Sequence, residues 1–441
     1  MANLPPQSVS QSASQSATGL APLKLVLLIT FLGSMGTAVI TSGIAFLTDQ
    51  GLGYSATQNL LLALVLGGVY IPAALISGPL LRWTATRARW LSTRRSLIGI
   101  MLLTAAIAQA PMLVDRINPD LTELAVWVMG IAYMVASGMQ WPIVEAYLSG
   151  GRRSAPLRGA IGKFNIVWSS AMVLSYWLMA PMIEHQPFMI ISLLGAIHLL
   201  IAGLVFMLPN EPAKHLDELP EGHEPHPPIY VPLLTVFRMM LIASYIILSV
   251  LIPLMPTIEA QLGLDELWWT PIASTWLIVR VLFFILFERW HGWHGHWWTP
   301  WLGMTAMLTG FALAIIAPAI GQLIGLHLYG VDYGALGANT VGTIVLITGL
   351  SLTGVGIAAI YYGALYYAMA VGGSDVDSGG KHEAFIGMGY TAGPLCGLIG
   401  GFIYQGGLGV IAVTSAVVLA MVGVAIRKAM RERSGNRAAK R

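Results

Sequence analysis

Twelve apolar runs, each about as long as a bilayer is thick, limit what this chain can fold into more than any other feature. A helix needs about 20 mostly apolar residues to cross a membrane. Runs of that kind occupy 25–47, 60–81, 96–113, 121–148, 161–183, 188–208, 239–258, 268–287, 301–324, 341–370, 384–404 and 408–426. In hydrocarbon every backbone amide has to be satisfied within its own segment or a closed barrel, so runs of this length read as helices. The composition agrees. Charged residues make up 10% of the chain and hydrophobic ones 56%, where a soluble domain carries roughly 25% charged. A soluble enzyme and a disordered chain are both excluded. The expected fold is an all-α membrane protein of twelve transmembrane helices in two six-helix bundles.

The positive residues set the orientation, because Lys and Arg concentrate in cytoplasmic loops. Lys24, Arg82, Arg87, Arg89, Arg94, Arg95, Arg152, Arg153, Arg158, Lys214, Arg238, Arg289, Lys381 and the tail from Arg427 to Arg441 fall on one side. The other side has only Arg116, among Asp115, Asp120 and Glu123. Both termini are therefore expected in the cytoplasm of a multi-pass protein of the inner or plasma membrane. The net charge of +3 reads as topology, not nucleic-acid binding. Residues 1–23, rich in Ser and Gln, read as a disordered tail and not as a cleavable signal peptide. The expected domains are then a bundle over 24–208, a linker over 209–232, a bundle over 233–428 and a basic tail over 429–441. The linker carries Glu211, Asp217, Glu218, Glu221 and Glu224 with His215, His223 and His226, and it splits the helices six and six. Arg82-Trp83 and Arg289-Trp290 stand at matching places of the two halves, as do Gly150-Gly151 and Gly372-Gly373. A parallel duplication of the kind found in repeat-built transporters follows.

Three stretches carry a family resemblance: Glu145-x6-Arg152 after the fourth helix, Gly389-x3-Gly393-Pro394-x2-Gly397, and Leu-Pro209-Asn-Glu211-Pro after the sixth. With the six-plus-six layout, they make the chain resemble the major facilitator superfamily of secondary transporters, with no subfamily singled out. Two departures stand out. The loop after the second helix lacks the family's acidic residue, since Gly78 is followed four places on by Arg82, and the Gly-Pro signature lies in the eleventh helix, not the fifth. Antiport is not implied. The resemblance implies alternating access between the bundles and a path lined by helices 1, 4, 7 and 10.

Ionisable side chains inside a span are costly, about 2.5–3.5 kcal/mol at a helix centre on insertion scales, so they are the first candidates. Arg280, in Trp276-Leu-Ile-Val-Arg280, reads either as a cavity group for an anionic or hydrogen-bonding solute or as a side chain that snorkels or pairs with Glu383. Glu145 reads as a proton carrier or as a gate partner of Arg152. Glu383 reads as a helix-start carboxylate favoured by the helix dipole or as a gate contact. Gln140, Trp141, Asn165, Tyr245, Tyr362 and Tyr366 are the candidate solute-binding residues, since Trp and Tyr can stack on rings and still hydrogen-bond. His198 reads as a packing residue and Lys163 as interfacial. His291, His294 and His296, set among Trp290, Trp293, Trp297 and Trp298, read as part of an interfacial aromatic belt and not as metal ligands.

No Gly-rich phosphate loop followed by Lys-Ser/Thr and no His-Glu-x-x-His is present, so an ATP-driven pump and a metalloenzyme are not expected. The sole cysteine, Cys396, lies in an apolar run and rules out an intrachain disulfide. The expectation is a monomeric, non-enzymatic secondary transporter of a small polar organic solute, sugar-like or an organic anion, with protons as candidate coupling ion, the bilayer as its surroundings, and no metal, cofactor or nucleic acid. Symport leads. Efflux of amphipathic compounds, or an enzyme or sensor on a transporter-like scaffold, stands as the alternative.

Overall fold

The computed structural model describes residues 20–88, 90–152, 154–213, 227–329, 334–371, 376–404 and 407–438. Twelve long helices run through them: α1 (Leu23–Leu52), α2 (Ala56–Arg87), α3 (Thr93–Ile117), α4 (Pro119–Ser149), α5 (Ser154–Met179), α6 (Pro187–Val205), α7 (Tyr230–Gln261), α8 (Glu266–Arg289), α9 (Trp298–Tyr329), α10 (Gly334–Val371), α11 (Val376–Ile403) and α12 (Leu408–Ala438). Eleven of them are long and apolar enough to cross a bilayer. The other, α5, is the polar one. It carries Lys163, Asn165 and three serines, Ser169, Ser170 and Ser175, and it packs between α1 and α8. Asn165, Ser169 and Ser175 are buried between helices, which spares them from lipid, while Lys163 is exposed near the start of the helix, so α5 belongs to the same set of spans.

The helix starts are cut by side chains that satisfy free amides. Gly53 takes φ +65, a left-handed turn that ends α1. Ser55 then accepts from the Gln58 amide while Gln58 Oε1 accepts from the Ser55 amide at 2.9 Å, a capping box. Ser92 caps α3 by accepting from the Arg95 amide at 3.3 Å, and Asp265 caps α8 by accepting from the Leu267 amide at 3.0 Å. Midway along α1, Val39–Gly43 is a π-helical turn, a feature frequent at functional sites. There the Thr41 hydroxyl donates to the Thr37 carbonyl at 2.7 Å.

Large apolar side chains such as Leu102, Leu103, Leu199, Leu200 and Phe402 point outward, as a lipid-facing surface requires. The most deeply buried span is α7, packed against α10, α11 and α12. The two halves meet along α2 with α11, α5 with α8 and α4 with α11. The α2–α11 contact is backbone on backbone. A Cβ at Gly67 would lie 2.6 Å from the Tyr390 carbonyl.

The loops that carry the arginines gather at one end, called the basic face below. There Glu211 accepts from the Thr93 amide at 3.0 Å and from the Thr93 hydroxyl, and Arg94 donates to the Leu208 carbonyl at 2.9 Å. Tyr147 donates to the Pro209 carbonyl at 2.9 Å. At the opposite end the Tyr54 hydroxyl donates to Glu123 at 2.6 Å and accepts from the Trp127 indole at 2.8 Å. Burial, with the Glu123 carboxylate beside it, pushes the Tyr54 phenol up to about 12.

Several helices are longer than their apolar runs. α7 begins at Tyr230, α11 at Val376, and α12 continues to Ala438, so most of the expected basic tail is helical. Residues 1–19 of the expected disordered tail lie outside the described residues, as do Arg89, Arg153, linker residues 214–226 with their histidines, Gly372-Gly373 and Asp375.

Candidate functional site

Two cavities occupy the contact between the halves. The central one, about 60 Å³, is lined by Ser34 and Thr37 of α1, Tyr70 of α2, Trp141 and Glu145 of α4, Phe164, Trp168 and Met172 of α5, Tyr245 of α7, Tyr361 of α10, and Glu383, Ile386 and Tyr390 of α11. The second, a vestibule of about 210 Å³ at the basic face, lies between α5, α8 and α10. Gly159, Gly162 and Asn165 form one wall, Phe287, Glu288, His291 and His294 another, and Tyr362, Leu365 and Tyr366 the third.

The central cavity holds a carboxyl pair contributed by both halves. Tyr70 donates to Glu383 Oε2 at 2.5 Å, and the Glu145 carboxyl adjoins that of Glu383 in the cavity lining. Two adjoining carboxylates disfavour each other's charge, which makes the pair a candidate holder of a proton. The glycines at the start of α11 allow this approach, since a Cβ at Gly379 would lie 2.7 Å from Glu145 Oε2 and one at Gly380 would lie 2.7 Å from the Ala74 carbonyl. Glu383 is therefore not a helix cap. It lies two turns inside α11, 7% exposed, in an interbundle contact.

Arg280 adjoins the same cavity and is 1% exposed. Its guanidinium lies over Trp168 at 4.1 Å from the ring centre, over Trp276 at 4.7 Å and over Phe284 at 5.9 Å. Nη2 donates to Met172 Sδ at 3.4 Å, and Nε has no partner. Neither alternative of snorkelling nor pairing with Glu383 holds: the group is buried, and among the described residues no carboxylate pairs with it.

The remaining candidates divide. Trp141 lines the central cavity and donates to Thr37 Oγ1 at 3.2 Å, and Tyr245 lines it too. Gln140 is not among the lining residues. It is buried against α1, with Nε2 2.7 Å from where a Gly33 Cβ would stand and without a partner. Asn165, Tyr362 and Tyr366 line the vestibule instead. Arg152 does not reach Glu145. It donates to the Tyr147, Leu148 and Ala21 carbonyls at 3.0, 2.6 and 2.6 Å, so it caps α4 and ties down the chain before α1. His198 is fully buried and satisfied by the Leu194 carbonyl at 2.7 Å and the Tyr133 hydroxyl at 3.3 Å. His294 stacks on Tyr366, and among the described residues no group of His, Cys, Asp and Glu is arranged to hold a metal.

Tyr70 escaped the sequence reading, although a phenol deep in an apolar run has to find a polar partner. So did Glu259 in α7, wholly buried with both carboxyl oxygens unpartnered.

No protein-family model matches the sequence, and no curated protein does. Solved structures do match. The nucleoside transporter NupG is 14% identical, with 93% of this chain and 98% of that one covered and a TM-score of 0.56. A bacterial homologue of the human lysosomal transporter Spinster, inward-facing and unoccupied, is 13% identical over 96% and 99% of the two chains, with a TM-score of 0.56. A point variant of the E. coli fucose:proton symporter FucP is 13% identical over 92% and 98%, with a TM-score of 0.54. At these identities the likeness speaks to architecture, and it covers the whole path from α1 to α12: the chain has the major facilitator fold.

Proposed function

We propose that this chain is a proton-coupled secondary transporter of a small polar organic solute bearing an anionic group. The observation that carries the reading is Arg280, a buried guanidinium without a carboxylate partner among the described residues, beside a cavity that also holds a pair of adjoining carboxyls. A buried charge left unpaired is destabilising, and a solute anion supplies the missing partner. Trp141, Tyr245, Tyr361 and Tyr390 offer ring faces and hydroxyls around it. The names of two neighbours support the class, since one is a nucleoside transporter and another a fucose:proton symporter.

The central cavity, about 60 Å³, is well below the roughly 300 Å³ or more of typical ligand pockets. This arrangement is thus a closed state, and the halves part to admit solute. Glu145, Glu383 and Tyr70 join α4, α11 and α2 across the two halves, so losing or gaining their proton changes the bond that holds the halves together. That links proton movement to opening. The loop arginines support a cytoplasmic basic face and cytoplasmic termini, and a path lined by one chain's own helices is compatible with a monomer.

Uptake into proteoliposomes tests the proposal, with organic acids, sugars and nucleosides offered with and without an inward proton gradient. An organic anion is expected to accumulate with the gradient. Glu145→Gln, which keeps a hydrogen-bonding amide but carries no proton, is expected to abolish gradient-driven accumulation while solute exchange persists. Accumulation by Glu145→Gln equal to that of the parent protein refutes the coupling role.

A further inference from the structure

We propose that Trp168 is the partition between the two cavities and Asn165 its latch, so that solute passes between the vestibule and Arg280 only when the hydrogen bond between them opens. The inference rests on reading the central cavity as the solute site.

The two residues stand three apart on α5 and so share a face, yet they line different spaces: Asn165 the vestibule, Trp168 the central cavity. The Trp168 indole donates to Asn165 Oδ1 at 3.1 Å, its one hydrogen bond among the described residues. The indole leans on Tyr361, ring centres 5.4 Å apart, and on Phe284, 6.4 Å apart, while Phe284 and Tyr361 are 6.0 Å apart. These three rings form the wall. Their chain neighbours mark where it runs, because Tyr361 faces the central cavity and Tyr362 the vestibule. Phe284 and Tyr361 are buried, at 0% and 4% exposed. Trp168 is half-buried, so it is the ring with room to swing.

Its position also covers Arg280 at 4.1 Å. When the indole swings away, the wall opens and the guanidinium loses its cover in the same movement. The Glu145–Glu383 contact, with Gly379 packed on Glu145 Oε2, also holds α4 to α11. The latch on α5 and the carboxyl pair on α4 and α11 are thus two separate closures.

Cysteine labelling tests this without any solute. In a Cys396→Ser background, which removes the sole cysteine, Ser34→Cys reports on the central cavity. A membrane-impermeant methanethiosulfonate is added to the basic face of sealed vesicles of known orientation. Asn165→Leu and Trp168→Phe each break the bond from one side and are expected to raise the labelling rate about fivefold, the yield of a hydrogen bond of ordinary net strength. Asn165→Asp keeps the acceptor and is expected to label at the parent rate. Leu365→Cys, in the vestibule, is expected to label equally in every background and so verifies folding. Unchanged Ser34→Cys labelling in the Leu and Phe variants overturns the latch, as does an equal rise when reagent is added to the opposite face. Absence of any solute flux would instead count against the transport reading, and the labelling result would stand apart from it.

Discussion

Replacing Arg280 by methionine separates a solute-binding guanidinium from a structural one. In the structure the cation lies 4.1 Å from the Trp168 ring and 4.7 Å from Trp276. Desolvated cation–π contacts give roughly 1–2 kcal/mol each, so the two supply about 2–4 kcal/mol. Against them stands the desolvation of a buried ion, several kcal/mol, met only by the weak acceptor Met172 Sδ and with Nε unsatisfied. These terms nearly cancel. Methionine keeps most of the stem and adds apolar contact to the same rings, so Arg280→Met is expected to shift stability by no more than about 1 kcal/mol in either direction. Solute affinity responds far more. Hydrogen bonds to a charged group contribute about 1.5–3 kcal/mol each, and losing two of them weakens binding on the order of 10²- to 10⁴-fold. Thermal unfolding of the purified protein with and without solute, together with calorimetric titration, reads both quantities. Arg280→Lys keeps the charge without the planar fork and is expected to fall between. A Tm lowered by roughly 3 °C, about 3 kcal/mol for a chain of 441 residues, with solute affinity unchanged would refute the reasoning and make Arg280 a structural staple.

Two further expectations follow from the packing. Gly67→Val places side-chain atoms against the Tyr390 backbone, where even a Cβ stands at 2.6 Å. Overpacking of this kind costs about 1–3 kcal/mol, so solute exchange is expected to fall at least about fivefold in a protein that still folds, and unaltered exchange would remove the α2–α11 apposition from the transport cycle. Tyr54→Phe loses the bonds to Glu123 and Trp127 and is expected to lower stability by about 1–2 kcal/mol without changing transport. Because the phenol is held above its ordinary value, its contribution is fully present below pH 10 and fades as pH rises through about 12. The difference in Tm between the parent and Tyr54→Phe is therefore expected to shrink across that interval, and a constant difference would contradict it.

The spans were legible because hydrophobic length is a direct physical demand of the bilayer. Their ends were not, because a helix does not stop where lipid stops. Arg427, Lys428 and Met430 continue α12 into water as good helix formers. The run Ser378-Gly-Gly-Lys381-His-Glu383 reads as a loop by its glycines and charges, yet it is the first part of α11. There the glycines serve contact with neighbouring helices: Gly379 receives the Glu145 carboxyl and Gly380 the Ala74 carbonyl. Placing that start at the apolar run, two turns late, turned a buried interbundle carboxyl into a helix cap.

Site residues divide along the same line. Arg280 was visible because a charge deep in a span is rare and costly, and that reason depends on no other residue. What pairs with what depends on the other helices. Glu145-x6-Arg152 suggests a pair by spacing, but the turn at Gly150-Gly151, with φ +69 at Gly151, aims Arg152 at the end of its own helix. Tyr361 and Tyr362 are adjacent and chemically identical, yet they face different cavities, since neighbours on a helix of 3.6 residues per turn point about 100° apart. A list of polar side chains in the spans therefore mixes two sites, and only the wall between them, formed by Trp168, Phe284 and Tyr361, sorts it. Placing Asn165 on one side of that wall and Arg280 on the other turns a set of candidate ligands into a route with an order. On the proposed reading, solute from the basic face meets Asn165, Tyr362 and Tyr366 first, and it reaches Arg280, Tyr245 and the carboxyl pair only past Trp168.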